Sequence, residues 1–302
     1  MIILDYSEIS MGSALNELRK ELENQDQSVY PMIRHLVFNH IKFMNTNFGT
    51  EYGEILISCD SRKYWRKDKF PYYKGRRKID RAKSKIDWNL LYSFINQIKS
   101  DLIEYTPYKV IEVDGAESDD VISVITKYLS TDDKFLVQDG FIANPPKILI
   151  GSSDNDFIQL GKYKNVFQRS KIVKKLVPTP ADIEAHLFEK SIRGEVSDGI
   201  PNCLSEDNCL VDKIKQKSIT KNWITPILES KTIPENVKDK YIRNRELIDF
   251  EYIPKEIESK IIETFDSTIP KGNASTLFKY FGDNGMMKHL DDVQNFLPRK
   301  VR

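Results

Sequence analysis

Lys147-Ile148-Leu149-Ile150-Gly151-Ser152-Ser153-Asp154-Asn155-Asp156 runs from an unbroken apolar segment straight into two aspartates. An apolar run without polar alternation reads as a strand buried on both faces, as in a parallel sheet covered by helices. The same pattern recurs in Met1-Ile2-Ile3-Leu4-Asp5 and in Ile55-Leu56-Ile57-Ser58-Cys59-Asp60. Strands are expected at residues 1–4, 54–58, 109–113 and 147–150, with a weaker one at 164–168. Helices are expected at 30–46, 88–104, 119–129 and 180–190. In the first of these, Ile33, Leu36, Val37, Ile41 and Met44 recur at helical spacing. Strands separated by helices give an α/β fold with a mainly parallel sheet.

In open parallel sheets the ligand crevice lies beyond the carboxyl ends of the strands. Asp5, Asp60 and the pair Asp154 and Asp156 each follow such an end, so three strands deliver carboxylates to one edge. Aspartate also favours turns and helix caps, which is the competing explanation for each one singly. A fourth group, Glu117-Ser118-Asp119-Asp120, precedes a helix, where the dipole favours acids. If all seven carboxylates share a crevice they repel and raise one another's pKa, unless a divalent cation intervenes. An all-oxygen donor set suits Mg²⁺ or Mn²⁺.

Residues 62–85 hold twelve Lys/Arg and two acids, a net +10, so the rest of the chain carries −9 beneath a total of +1. Tyr64, Trp65, Phe70, Tyr72 and Tyr73 are interleaved with these cations. Cations neutralise phosphates and aromatic faces stack unpaired bases, so this segment is expected to contact nucleic acid. After about residue 175 helical segments punctuated by prolines dominate, and 205–222 reads as a polar insertion. Arg193-Gly194-Glu195-Val196-Ser197-Asp198-Gly199-Ile200-Pro201 reads as a loop between helices whose glycines allow close approach to a phosphate. No Walker or Rossmann glycine motif is present, which removes support for nucleotide-dependent chemistry.

The chain has 302 residues, 40% of them hydrophobic and 30% charged, which excludes a disordered protein and suggests about two domains. Its three cysteines form no disulfide framework and no zinc-ligand spacing. No apolar run approaches the ~18 residues of a membrane span. The first run meets Asp5 at once and is too short for a signal peptide, so a cytoplasmic protein is expected.

Several segments in order resemble the 5′–3′ exonuclease/flap endonuclease family. They are Leu4-Asp5-Tyr6-Ser7, Arg34-His35-Leu36, Tyr64-Trp65-Arg66, Tyr72-Tyr73-Lys74, Glu117-Ser118-Asp119-Asp120, Ser153-Asp154-Asn155-Asp156-Phe157 with Gln159-Leu160, and Ile248-Asp249-Phe250-Glu251-Tyr252-Ile253-Pro254. The resemblance implies a PIN-like nuclease domain at 1–177, with a basic arch at about 62–87, then a helical helix–three-turn–helix domain at 178–302 that grips duplex backbone. It implies two Mg²⁺ or Mn²⁺ ions, one involving Asp5, Asp60, Glu117, Asp119 and Asp154, partly through water. Asp156 and Asp198 would serve the second, with Asp120 and Glu195 near it. A monovalent cation in the helix–three-turn–helix loop is also implied.

By the same likeness Lys74, Arg66 and Tyr73 assist catalysis. Arg62, Lys63, Trp65, Lys67, Tyr72, Arg76, Arg77, Gly194 and Gly199 would contact nucleic acid. The family loop usually reads Gly-Asp-x-x-Asp-Asn-Ile-Pro-Gly, whereas this chain has Glu195, Gly199 and Asn202 at three of those positions. Activity is expected to survive Glu195, while Gly199 removes a polar side chain that could fix the loop.

The implied activity is 5′-end-directed cleavage of branched DNA and RNA–DNA duplexes, of ribonuclease H type, as in primer removal during replication. The implied partners are such duplexes, a single-strand-binding protein and a sliding clamp, with the chain a monomer. If the chain is phage-encoded, its place is the host cytoplasm. The alternatives are a non-catalytic module for branched nucleic acid, disfavoured by the seven acids, and a PIN-type single-strand ribonuclease, disfavoured by the long helical half.

Overall fold

The computed structural model describes residues 1–139, 142–169, 173–175 and 179–300. Strands β1 (Ile2–Asp5), β2 (Ile55–Cys59), β3 (Lys109–Glu112), β4 (Val137–Asp139), β5 (Ile142–Asn144), β6 (Ile148–Gly151), β7 (Val166–Arg169) and β8 (Val173–Lys175) follow in chain order. Six of them form one sheet in the order β3-β2-β1-β6-β7-β8. All its pairings are parallel except β7 with β8. The expected parallel core is therefore present, with an antiparallel edge strand added. β4 and β5 form a separate antiparallel hairpin.

The chain lays β1, β2 and β3 outward in one direction and then places β6 on the free side of β1. That reversal makes the β1/β6 boundary the switch point of the sheet, where the crevice of an open α/β sheet opens. Ile2, Ile3, Leu4, Leu56, Ile57 and Ile148–Gly151 are fully or nearly fully buried, as the unalternating pattern requires.

The helix Val29–Tyr52 covers the sheet with Ile33, Val37, Phe38, Ile41 and Met44. The helix Trp88–Tyr105 begins where the Asp87 carboxylate accepts from Leu90 N at 3.0 Å, a cap worth about 1 kcal/mol. Arg34 is buried between the Tyr30 ring, 4.4 Å from its guanidinium, and Asp101, which accepts from Tyr280 Oη at 2.7 Å. No helix among the described residues is long and apolar enough to cross a membrane.

The chain divides into two compact units, and neither is a single stretch. The first comprises Met1–Arg62, Lys85–Leu176 and Lys255–Arg302; the second comprises Lys63–Ser84 and Val177–Pro254. This corrects the expected division at 177. The apolar face Ile257, Ile261 and Phe265 returns the C-terminal part to the helix Ser118–Thr131, aided by a Lys127–Glu258 ion pair at 2.7 Å. Leu277, Tyr280, Phe281 and Phe296 then enter the main core beside Phe38. The last turn, Val293–Phe296, is held by Asn45 Nδ2 donating to Asn295 O and Leu297 O, both at 2.8 Å, so it is a packed terminus.

The second unit is helical. Its helices Pro180–Arg193 and Lys238–Ile248 pack together, joined by a two-pronged Arg245–Glu184 pair at 2.7 and 2.8 Å. Phe70, Tyr73, Leu187, Ile200, Leu247 and Ile248 form one of its cores. The region read as an insertion folds into compact turns with Ser205, Cys209 and Leu210 buried.

Candidate active site and basic segment

Asp5 closes β1, Asp60 follows β2 directly, and Asp154 stands three residues beyond β6. Because β2, β1 and β6 are adjacent and parallel, all three leave the sheet at the same edge. Two serines tie the first two carboxylates together. Ser7 N donates to Asp5 Oδ1 at 2.9 Å, and Ser7 Oγ to Asp60 Oδ2 at 2.6 Å. Ser118 N donates to Asp60 Oδ1 at 2.8 Å, and Ser118 Oγ to Asp5 Oδ1 at 3.1 Å.

A fourth carboxylate at this edge, Glu8, was not singled out in the sequence. It accepts from Ser152 Oγ at 2.7 Å, from Ser153 Oγ at 2.9 Å and from Ser153 N at 3.1 Å. It thereby fixes the residues just before Asp154 to the exit of β1. The spacing Asp5-x-x-Glu8 was the available signal. Burial, then the charges of Asp60 and Glu8, push the Asp5 carboxyl up to about 7.

Other predicted acids are committed locally. Glu117 and Asp120 close a reciprocal capping box at the start of Ser118–Thr131, with Asp120 donated to by Glu117 N at 3.0 Å. Asp120 is fully buried at that helix start. Asp119 occupies the same first turn. Asp154 caps the turn that follows it, accepting from Asp156 N at 2.8 Å.

Among the described residues, no three His, Cys, Asp or Glu side chains already close around a single point. The edge instead offers crowded oxygen donors, one of them with a carboxyl already driven toward neutrality by burial and then by its acidic neighbours. Such a set fits a hard divalent cation that keeps part of its water, rather than a closed cage. Glu195 and Asp198, expected at the second ion, belong to the other compact unit.

In that unit the basic stretch forms two helices, Trp65–Lys69 and Gly75–Lys83. Lys63, Lys67, Tyr72, Arg76 and Arg77 are exposed, as is Arg62, the last residue of the first unit's opening segment. Trp65 and Arg66 are not: they are 7% and 3% exposed, and Arg66 Nε donates to Leu247 O at 2.8 Å. The expected stacking face of Trp65 and substrate contact of Arg66 are replaced by packing. Tyr73 is also buried, but its hydroxyl reaches Asp198 at 3.2 Å. Lys213, on a turn in the supposed insertion, lies beside Lys83, whose direct side-chain contact and then like charge hold the Lys213 amine below its usual range. Nothing in the local sequence marked Lys213 as part of the basic surface.

The loop after Pro180–Arg193 is closed by a β-bridge, with Glu195 N donating to Ile200 O at 2.8 Å and Ile200 N to Glu195 O at 2.9 Å. Gly194 and Gly199 hold φ of +70° and +74°, the left-handed region that suits glycine. The Glu195 carboxylate pairs with Lys190 at 2.9 Å and accepts from Ser197 Oγ at 2.7 Å.

A family model described as "T4 RNase H, C terminal" matches residues 182–296. The chain is 30% identical to the ribonuclease H of Enterobacteria phage T4 over 309 aligned positions, spanning 97% of this chain and 95% of that protein. A solved structure of phage T5 5′-exonuclease with bound divalent zinc superposes with a TM-score of 0.53 at 16% identity, covering 95% of this chain and 98% of that one. A phage T5 flap endonuclease pseudo-enzyme–product complex with DNA and metal ions gives a TM-score of 0.55 at 15% identity, covering 88% and 99%. At these identities the structural likeness carries the fold, a PIN-like sheet with an added helical unit.

Proposed function

The chain belongs to the phage T4 ribonuclease H family of nucleases, and from that premise we propose a divalent-metal-dependent 5′-nuclease that hydrolyses phosphodiesters in flap and RNA–DNA duplexes. One observation carries the metal assignment: Asp5, Asp60 and Asp154 leave adjacent parallel strands at the switch point of the sheet. Removal of primers during replication is the role this activity would fill.

Asp5, Asp60 and Asp154 would hold the principal ion, with Glu117 and Asp119 reaching it through water and Asp156 toward a second. When bound, such ions neutralise charge that develops on the phosphate and lower the pKa of water, with Mg²⁺ or Mn²⁺ best matched to carboxylate donors. Ser7 and Ser118 orient Asp5 and Asp60 by four hydrogen bonds of 2.6–3.1 Å, and Glu8 sets the approach of Asp154. Lys74 and Arg77 would hold phosphate oxygens by charge, while Arg62, Lys63, Lys67, Tyr72, Arg76 and Lys213 follow the strand. Trp65 and Arg66 support that surface from beneath.

The test is cleavage of a 5′-labelled flap duplex by wild type and by Asp154→Ala, with Mg²⁺ and with EDTA. Products near the junction are expected from wild type with metal alone, and Asp154→Ala is expected to lose at least about 10³-fold in rate. Cleavage by wild type in EDTA, or near-full activity of Asp154→Ala, would refute the metal assignment.

A further inference from the structure

The loop 195–200 is docked onto the basic segment. Lys74 N donates to Asp198 O at 2.6 Å, with Lys74 itself at φ +52°. Three side chains converge on the Asp198 carboxylate: Tyr73 Oη at 3.2 Å, Arg77 Nη2 at 2.9 Å and Lys74 Nζ at 3.8 Å. Arg77 Nε adds a hydrogen bond to Ser197 O at 3.3 Å. The docking explains Gly199, the departure from the family loop. A Cβ there would come within 2.9 Å of Tyr72 O and 3.0 Å of Lys74 N, both backbone atoms that cannot swing aside. At this position an asparagine would hold the loop off the segment, and glycine lets it seat.

We propose that Asp198 is a built-in phosphate surrogate: it holds Tyr73, Lys74 and Arg77 as a preformed anion cradle, and a backbone phosphate of the substrate takes its place. The inference rests on the nucleic-acid reading above and assigns Asp198 a positioning role in place of metal ligation. The carboxylate and a phosphodiester each carry one negative charge and accept from the same N–H and O–H donors, so the exchange is near neutral in charge. The donors stay aligned in the free chain, and binding does not have to order them. The cost is competition, because the substrate must displace a carboxylate that is only partly exposed, at 26%. Removing that carboxylate therefore strengthens phosphate binding in the absence of metal, and by more than removing a carboxylate of the same basic segment that lies outside the cradle.

The experiment measures affinity for a flap duplex in EDTA, across a salt series, for wild type, Asp198→Asn, Asp198→Glu and Asp80→Asn. Asp80 is the control because it pairs with Arg76 on the same basic helix, at 3.2 Å, outside the cradle. Asp198→Asn is expected to bind about tenfold tighter, with the slope of log K against log salt steeper by about one. Asp198→Glu and Asp80→Asn are expected within about twofold of wild type. Asp198→Ser makes the same measurement if asparagine disturbs the loop. Unchanged or weaker binding by the neutral variants overturns the proposal, as does an equal gain from Asp80→Asn, which would mark a general charge effect. Failure of every form to bind duplex would overturn the nucleic-acid reading as well, and so is distinguishable from failure of the surrogate alone.

Discussion

At Asp5, folding buries a carboxylate beside Asp60 and Glu8. Its carboxyl sits at about 7 against an ordinary 3.8, with burial the first cause and the two acids the next. A raised carboxyl means that the folded state disfavours the ion, so above pH 7 the metal-free fold bears a cost that is relieved as pH falls through 7 toward 4. Asp5→Asn is therefore expected to raise the stability of the metal-free protein at pH 8, by on the order of 2 kcal/mol, while abolishing cleavage. Urea unfolding in EDTA measures this, and a loss of stability at pH 8 would contradict it. Asp5, Asp60 and Asp154 were legible because an aspartate just past an unalternating apolar run has few places to go. The burial of Trp65 and Arg66 was not legible. A cation–aromatic pair reads alike whether it faces solvent or, as here, a carbonyl of a helix 181 residues away.

Among elements, the long helices and parallel strands were recoverable because each has an apolar period set by its own geometry. The short antiparallel β8 and the hairpin of β4 and β5 carry three residues each, too few for any period to show. The return of the C-terminal elements depended on partners far away in sequence, as at Met287–Asp291, where His289 is 2% exposed against Phe38, Phe281 and Phe296. Burial, then electrostatic coupling to His35 and Lys42, holds His289 down at about 4 from an ordinary 6.5. A lowered histidine is neutral in the fold, so as pH falls below 6.5 the unfolded chain takes up the proton first and stability declines until about pH 4. The loss across that window is at most about 3 kcal/mol. His289→Gln should flatten the stability–pH curve between pH 6.5 and 4, as read by thermal unfolding; an unchanged slope would assign the decline to other groups.

For the whole molecule, two compact units are woven from five chain segments; the crossing at 62 coincides with the start of the basic segment, whereas no composition shift marks the crossing at 254. Both crossings depend on which apolar face meets which, a property of the folded pair and not of either segment. The PIN-like sheet and the helical unit were legible from ordered motifs, and the order of those motifs survives the interleaving. The commitments of Glu195 to Lys190 and of Asp198 to Lys74 and Arg77 were beyond sequence spacing, because they are made through space. The assignment of the ion to the strand-end carboxylates is the claim on which the functional account stands. Calorimetric titration of the metal-free protein with Mn²⁺, for wild type, Asp5→Asn and Asp154→Asn, tests it without relying on turnover. Wild type is expected to bind with a saturating heat that either substitution weakens by at least about tenfold, in proteins that still unfold cooperatively. Equal Mn²⁺ affinity in all three would contradict the account and place the ion elsewhere.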